Sequence, residues 1–146
     1  MVTSAKAIAK YGKPNVQMEY KHMVSWDVPD WINREIPELP NKIYCNRDIV
    51  KPLQKAFENI IERCLQSDIK TWDGCFNVRL IRGSSDPDDW SLHSWGIAID
   101  INAAWNGLGK TPQMSAALVK CFTDAGFDWG GTWKRKDGMH FQLSTI

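Results

Sequence analysis

The chain lacks an excess of either charge. Its 146 residues carry 18 Lys and Arg against 17 Asp and Glu, a formal net charge of +1. That removes the electrostatic footprint expected of a nucleic-acid-binding protein or of a domain held on an anionic membrane. No apolar run approaches the roughly 20 residues a membrane-spanning helix needs. The opening segment, Met1-Val2-Thr3-Ser4-Ala5-Lys6, has no apolar stretch of the secretory type, so synthesis in the cytoplasm without a signal peptide is expected. Cysteine is sparse and badly spaced for chemistry. The four residues at 45, 64, 75 and 121 form no C-x-x-C pair. Neither a zinc finger nor a dithiol redox motif is supported, and free, mostly buried thiols are expected. There is no internal repeat and no low-complexity tract. Only three histidines occur, so each is worth placing individually.

What is present in quantity is tryptophan, eight residues in all. Each can bury a large area in a core. Trp90 and Trp95 bracket His93, however, Trp105 follows Asp100, and Trp129 and Trp133 precede Asp137. One or two of them are therefore expected to wall a polar site for a peptide- or sugar-containing ligand.

The length suits one domain with its own core. Residues 1–40, punctuated by Pro14, Pro29, Pro37 and Pro40, read as an irregular arm wrapped over the rest, with a short helix near its start. After Asn46, a good N-cap, the apolar residues Ile49, Leu53, Ala56, Phe57, Ile60, Ile61, Cys64 and Leu65 recur at helical spacing and predict a helix over 47–66, with Pro52 bending its first turn. Phe76 to Ile81 alternates like a strand, and 84–89 is a loop by composition. Its acidic residues, Asp86, Asp88 and Asp89, read as a surface loop rather than a second cation site. Trp95 to Ile101 reads as a buried central strand. Thr111-Pro112 predicts the start of a second helix that Gly126 stops, and two strands follow, Phe127 to Gly130 and Met139 to Leu143.

The chemistry concentrates in two short segments: Ser91-Leu92-His93-Ser94-Trp95-Gly96-Ile97-Ala98-Ile99-Asp100 and Asp137-Gly138-Met139-His140-Phe141. They offer two imidazoles and two carboxylates. Zinc in hydrolases typically takes three protein ligands and keeps one position for water. His93, Asp100 and His140 are the candidate ligands. Asp137, three residues before His140, is the candidate general base, placed to take a proton from water and pass it to a leaving amine. The oxyanion formed in that attack needs positive charge beside it, and Arg79 and Arg82 are the candidates. Their opposite strand parity predicts that only one points into the site. Ser91, Trp95 and Trp129 are the candidate substrate-binding residues. His22 lacks acidic company and reads as non-functional.

These segments closely resemble the zinc peptidases of family M15, which contains D-Ala-D-Ala carboxypeptidases, L-alanyl-D-glutamate endopeptidases, vancomycin-resistance peptidases and many bacteriophage endolysins. Ser91, His93, Gly96, Ala98 and Asp100 fit the pattern S-x-H-x-x-G-x-A-x-D, and Asp137 and His140 fit [DE]-x-x-H. The resemblance spans about residues 42–143. It implies zinc held by His93, Asp100 and His140, with Asp137 as base and an arginine from the Arg79–Gly83 run. It also implies an α+β fold of the hedgehog and DD-peptidase type, in which a small antiparallel sheet carries the zinc site and helices pack on one side. An Asp base, with Gln142 where the family often has Glu, fits the endolysin-like branch. The implied activity is cleavage of the peptidoglycan stem peptide at the L-Ala–D-Glu bond by a monomeric phage endolysin acting on the bacterial wall. The rivals are a D-Ala-D-Ala carboxypeptidase of wall remodelling and a non-catalytic wall-binding phage structural protein. Nucleic acid and membrane insertion are not expected.

Overall fold

The computed structural model describes all 146 residues. In chain order the regular elements are α1 (Ser4–Tyr11), α2 (Val16–His22), β1 (Met23–Asp27), α3 (Asp30–Glu35), β2 (Lys42–Asn46), α4 (Val50–Glu62), β3 (Trp72–Gly74), β4 (Ala98–Ile101), α5 (Ala116–Thr123), β5 (Phe127–Trp129) and β6 (His140–Leu143). The class is α+β. Strands β1 and β2 form an antiparallel ribbon, and a second antiparallel sheet has the order β3-β4-β6-β5.

Strand parity sorts the second sheet. Successive side chains of a strand point to opposite faces. In the β4–β6 pair, Ile99 faces Phe141 and Asp100 faces His140. Ile99 and Phe141 are fully buried in the core, while Asp100 and His140 turn to the other face. The core face is covered by α4 and α5. Phe122 of α5 stacks on Phe141 with ring centroids 4.3 Å apart, and Asn59 of α4 donates to the Cys121 carbonyl, tying the two helices together. Truncating a buried aromatic such as Phe141 to alanine typically costs about 3–5 kcal/mol.

The N-terminal 40 residues differ from the expected irregular arm. They hold three short helices and a strand, and the first two helices have side-chain caps. Thr3 caps α1 by accepting from the Lys6 amide, and Asn15 caps α2 by accepting from the Met18 amide. This segment is part of the core, contributing Val2, Ala7, Tyr11, Met18, Met23, Val28, Ile32, Ile36 and Leu39. The prolines stop the helices from running on without removing them, since each falls between elements.

Other boundaries also move. The helix expected over 47–66 begins as a single 3₁₀ turn, Arg47–Ile49, capped by Asn46, and its α-helical part is Val50–Glu62. Pro52 lies in the first turn of α4, where its missing N–H costs nothing. Phe76 to Ile81 is not a regular strand. It makes one isolated bridge, Leu80 to Trp90, and the strand beside β4 is β3 instead. Thr111-Pro112 lies in a loop, and α5 starts after Ser115, whose hydroxyl accepts from the Leu118 amide. Gly126, at φ 104°, ends the turn after α5 as expected. All four thiols are free, with only Cys64 exposed. Burial pushes the Cys45 thiol up to about 12, so it is inert at neutral pH.

Candidate metal centre and its cleft

The first motif forms a 3₁₀ turn, Leu92–Trp95, whose N-cap Ser91 accepts from the His93 amide through its hydroxyl at 3.4 Å. Gly96 ends the turn in the left-handed region at φ 64°. A Cβ there would lie 2.7 Å from both the Asn46 nitrogen and the Met23 Cε, so glycine is required by conformation and by space. The chain then enters β4. In this way His93, on a buried turn, and Asp100, on a strand, reach the same face.

The second motif is also a turn. The Asp137 amide donates to the Gly130 carbonyl at 2.9 Å, and the His140 amide donates to the Asp137 carbonyl at 3.2 Å. A Cβ on Gly130 would sit 2.5 Å from that Asp137 carbonyl, so the glycine lets the two segments close. Gly138 packs against Pro112 and Asn106, which is the physical need for glycine there.

His93, Asp100 and His140 converge. His140 Nδ1 lies 3.2 Å from His93 Nε2, His93 Nε2 lies 3.3 Å from Asp100 Oδ2, and His140 Nδ1 lies 3.5 Å from Asp100 Oδ1. A tetrahedral ion with bonds of about 2.0–2.1 Å needs donors about 3.3 Å apart. The proton inventory points the same way. His93 Nδ1 sits 2.7 Å from the Cys75 carbonyl and His140 Nε2 sits 3.0 Å from Gln142 Oε1, both acceptors. Each imidazole therefore carries its proton on the outer nitrogen and turns a lone pair inward. Two buried lone pairs and a carboxylate facing one another call for a cation. Asp100 Oδ1 is buried without any hydrogen-bond partner, a costly state that a metal would relieve. The residues fit a zinc ion.

In the metal-free chain the charges adjust to this crowding. Burial alone would raise the Asp100 carboxyl, but the facing His140 and His93 outweigh it and hold it well below the carboxylate range. Burial would lower the His140 imidazole, and Asp100 reverses this to a net rise. Asp137 is raised, first by burial and further by the Asp100 charge, against the opposing pull of His140, His93 and Arg79.

The centre opens on one cleft of about 380 Å³. Asp100, His140, Asp137, Arg79 and Arg82 all line it, with Ser91 at its wall. Both arginines line the cleft, against the expectation that only one would, because 76–81 is not a regular strand and its parity does not sort them; Arg79 is the one whose charge acts on Asp137. Arg135 joins them, donating to the Arg82 carbonyl at 2.8 Å. Trp90 and Trp133 supply the aromatic wall. Trp133 leans on His140 at 5.4 Å between ring centroids.

Two expected binding residues are elsewhere. Trp95 is fully buried and donates from its indole to the Gly12 carbonyl, so it packs rather than binds. Trp129 donates to the Gly138 carbonyl and stacks along Phe141, bracing the second motif from behind. The acidic 84–89 loop holds itself through local bonds, with the Asp88 amide donating to Asp86 Oδ1, and Asp88 pairs with Lys13. His22 lies edge-on to Tyr11, away from the cleft. Sequence reasoning missed Arg135, Leu108, Met139 and the first four residues, which also line the cleft. Arg135 and Met139 stand at the second motif without a spacing rule to mark them, and Leu108 and the first four residues come from other segments of the chain.

A family described as D-alanyl-D-alanine carboxypeptidase matches residues 84–143. No curated protein and no solved structure matches the chain. The matched segment contains both motifs and all three residues of the candidate centre. Over these residues the chain is similar to peptidase family M15.

Proposed function

We propose that the chain is a zinc-dependent peptidase that cuts the peptidoglycan stem peptide, with the L-Ala–D-Glu bond as its target and a phage endolysin as its biological setting. The observation that carries this reading is the convergence of His93 Nε2, His140 Nδ1 and an unpartnered Asp100 oxygen beside a cleft that also holds Asp137 and Arg79.

A zinc ion held by His93, Asp100 and His140 would supply Lewis acidity, activating water and polarising the scissile carbonyl. The chain's own groups do the rest. Asp137 accepts a proton from the attacking water as the new C–O bond forms. It then delivers that proton to the departing nitrogen as the C–N bond breaks. Its burial, which raises its carboxyl, suits a group that must hold a proton between the two steps. Arg79 lines the same cleft, its charge acts on Asp137, and its guanidinium is the group available to the oxyanion. Arg82 and Arg135, which line the same cleft, favour a substrate with free carboxylates, as the stem peptide has. Trp90 and Trp133 supply flat apolar walls.

The family match, to D-alanyl-D-alanine carboxypeptidase, favours a second reading, a D-Ala-D-Ala carboxypeptidase. Digestion of soluble muropeptides with mass analysis of the products separates the two. New amino termini at D-Glu support the endopeptidase. Free D-Ala, with the rest of the stem intact, supports the carboxypeptidase. No cleavage of either kind by the zinc-loaded protein would refute both.

A further inference from the structure

The residues around His140 contain a connection that leads away from the cleft and into the N-terminal segment. Gln142 lies two positions along β6, on the same face as His140, and is buried. Its Oε1 faces His140 Nε2 at 3.0 Å, and its Nε2 donates to the Val2 carbonyl at 3.3 Å. An amide has one acceptor end and one donor end, and a carbonyl can only accept. The Val2 carbonyl therefore fixes which way the Gln142 amide points. The amide oxygen in turn fixes the proton of His140 on Nε2, leaving Nδ1 as a lone pair toward His93 and Asp100. Val2 itself is held firmly. It is buried in the core, and two residues on, the Ser4 hydroxyl donates to the Asp88 carbonyl at 2.7 Å and accepts from the Trp90 amide at 3.0 Å.

We infer that the Val2 carbonyl and Gln142 form a positioning relay for the metal ligand His140, so that the N-terminal segment sets the zinc affinity of a centre built from the other end of the chain. The inference rests on His140 being a zinc ligand, and goes beyond it in assigning Val2 and Gln142. Neither touches substrate, so both are positioning residues.

The test uses the different symmetry of amide and carboxylate. Gln142→Leu removes the acceptor and is expected to weaken zinc binding about 10- to 100-fold, read by chelator competition. Gln142→Glu presents an acceptor to His140 from either oxygen and needs no partner to orient it, while its other oxygen meets the Val2 carbonyl acceptor to acceptor, so zinc binding is expected to fall less than in Gln142→Leu. Deleting residues 1–3 removes the Val2 carbonyl. It is expected to weaken zinc binding in the wild-type background and not to weaken it in the Gln142→Glu background. Equal weakening in both would assign the segment a general structural role and overturn the relay, as would wild-type affinity in Gln142→Leu. If the deletion does not fold, Ser4→Ala loosens the same segment with Val2 in place, and the same background dependence is expected at smaller size. A readout independent of metal is the imidazole proton of His140, followed by nitrogen–proton NMR of the metal-free protein at a pH where the rings are neutral. Wild type should carry it on Nε2, and Gln142→Leu should move it in part to Nδ1. A chain that binds no zinc yet shows this shift would refute the zinc reading and keep the relay. An unchanged tautomer would refute the relay alone.

Discussion

Asp100 and His140 are direct cross-strand partners in the antiparallel β4–β6 pair. Residues so paired hold their Cβ atoms about 4.5–5.5 Å apart, which places a carboxylate and an imidazole side by side without help from a loop. The same register puts Ile99 opposite Phe141 on the other face, locked under α5. A slip of either strand by one residue would turn its candidate ligand into the core, so packing of the apolar face enforces the geometry of the polar one. His93 then needs only to reach over from its turn.

Asp137 is assigned the proton and not the metal. Asp137→Ala should keep about one zinc per chain and lose peptidoglycan cleavage by roughly two orders of magnitude or more. Metal analysis and a turbidity or mass assay on the same preparation check this. Loss of zinc together with activity would reassign Asp137 as a ligand.

Arg79 and Arg82 should not be equivalent. Arg79→Ala removes the guanidinium that acts on Asp137 and is expected to lower kcat about 100-fold. Arg82→Ala should chiefly raise KM, because Arg82 lines the cleft without acting on Asp137 and its backbone carbonyl holds Arg135 whatever its side chain. Steady-state kinetics on a soluble muropeptide distinguish the two, and the reverse ranking would exchange their roles.

The N-terminal segment is pinned to the start of α4 by Asp48, which accepts from the Tyr11 hydroxyl at 2.6 Å and pairs with Lys10 at 3.3 Å. Burial alone would raise the Asp48 carboxyl, but Tyr11 and Lys10 outweigh it, and the folded-state value is lowered. A depressed carboxylate stabilises the fold above its unfolded pKa of about 3.9, and that stability is lost as pH falls through the folded value. Asp48→Asn should therefore lower Tm at neutral pH, by the equivalent of about 1 kcal/mol or less given its exposure. The gap to wild type should close below about pH 4. A gap constant with pH would mean that the charge contributes nothing.

Gly96 carries both a left-handed φ of 64° and a space limit of 2.7 Å to the Asn46 nitrogen. Gly96→Ala must strain the turn that presents His93 or push β2 away. The expected cost is about 1–3 kcal/mol, with weaker zinc binding as a second effect. Thermal unfolding with and without zinc measures both. A variant as stable as wild type would show that the turn can relax.

Much of this was readable in advance, and the reason differs by residue. His93, Asp100, Asp137 and His140 stand out because imidazoles are rare in the chain and their spacing matches a turn followed by a strand. The apolar face of α4 was legible because Leu53, Ala56, Phe57 and Ile60 obey one helical period and are all buried. Periodicity failed at Phe76 to Ile81, where alternating residues form one bridge and no ladder because Trp72–Gly74 occupies the edge of β4. It failed again at Thr111-Pro112, a good helix start overridden by Asn106, whose Oδ1 accepts from the Gln113 amide and holds the loop open. The tryptophans illustrate the limit of composition. Trp95 and Trp129 neighbour the motifs in sequence and support them from behind, while Trp90 and Trp133 reach the cleft. The part played by Val2 was beyond sequence, since its carbonyl meets Gln142 across 140 positions.

The central claim is that His93, Asp100 and His140 together grip one zinc ion. Equilibrium zinc titration of the wild type beside His93→Ala, Asp100→Ala and His140→Ala tests it most directly, with circular dichroism confirming that each variant is folded. The account predicts one tight equivalent in the wild type and a loss of at least 100-fold in affinity in every variant. Undiminished binding in any folded variant, or no binding by the wild type, would contradict it.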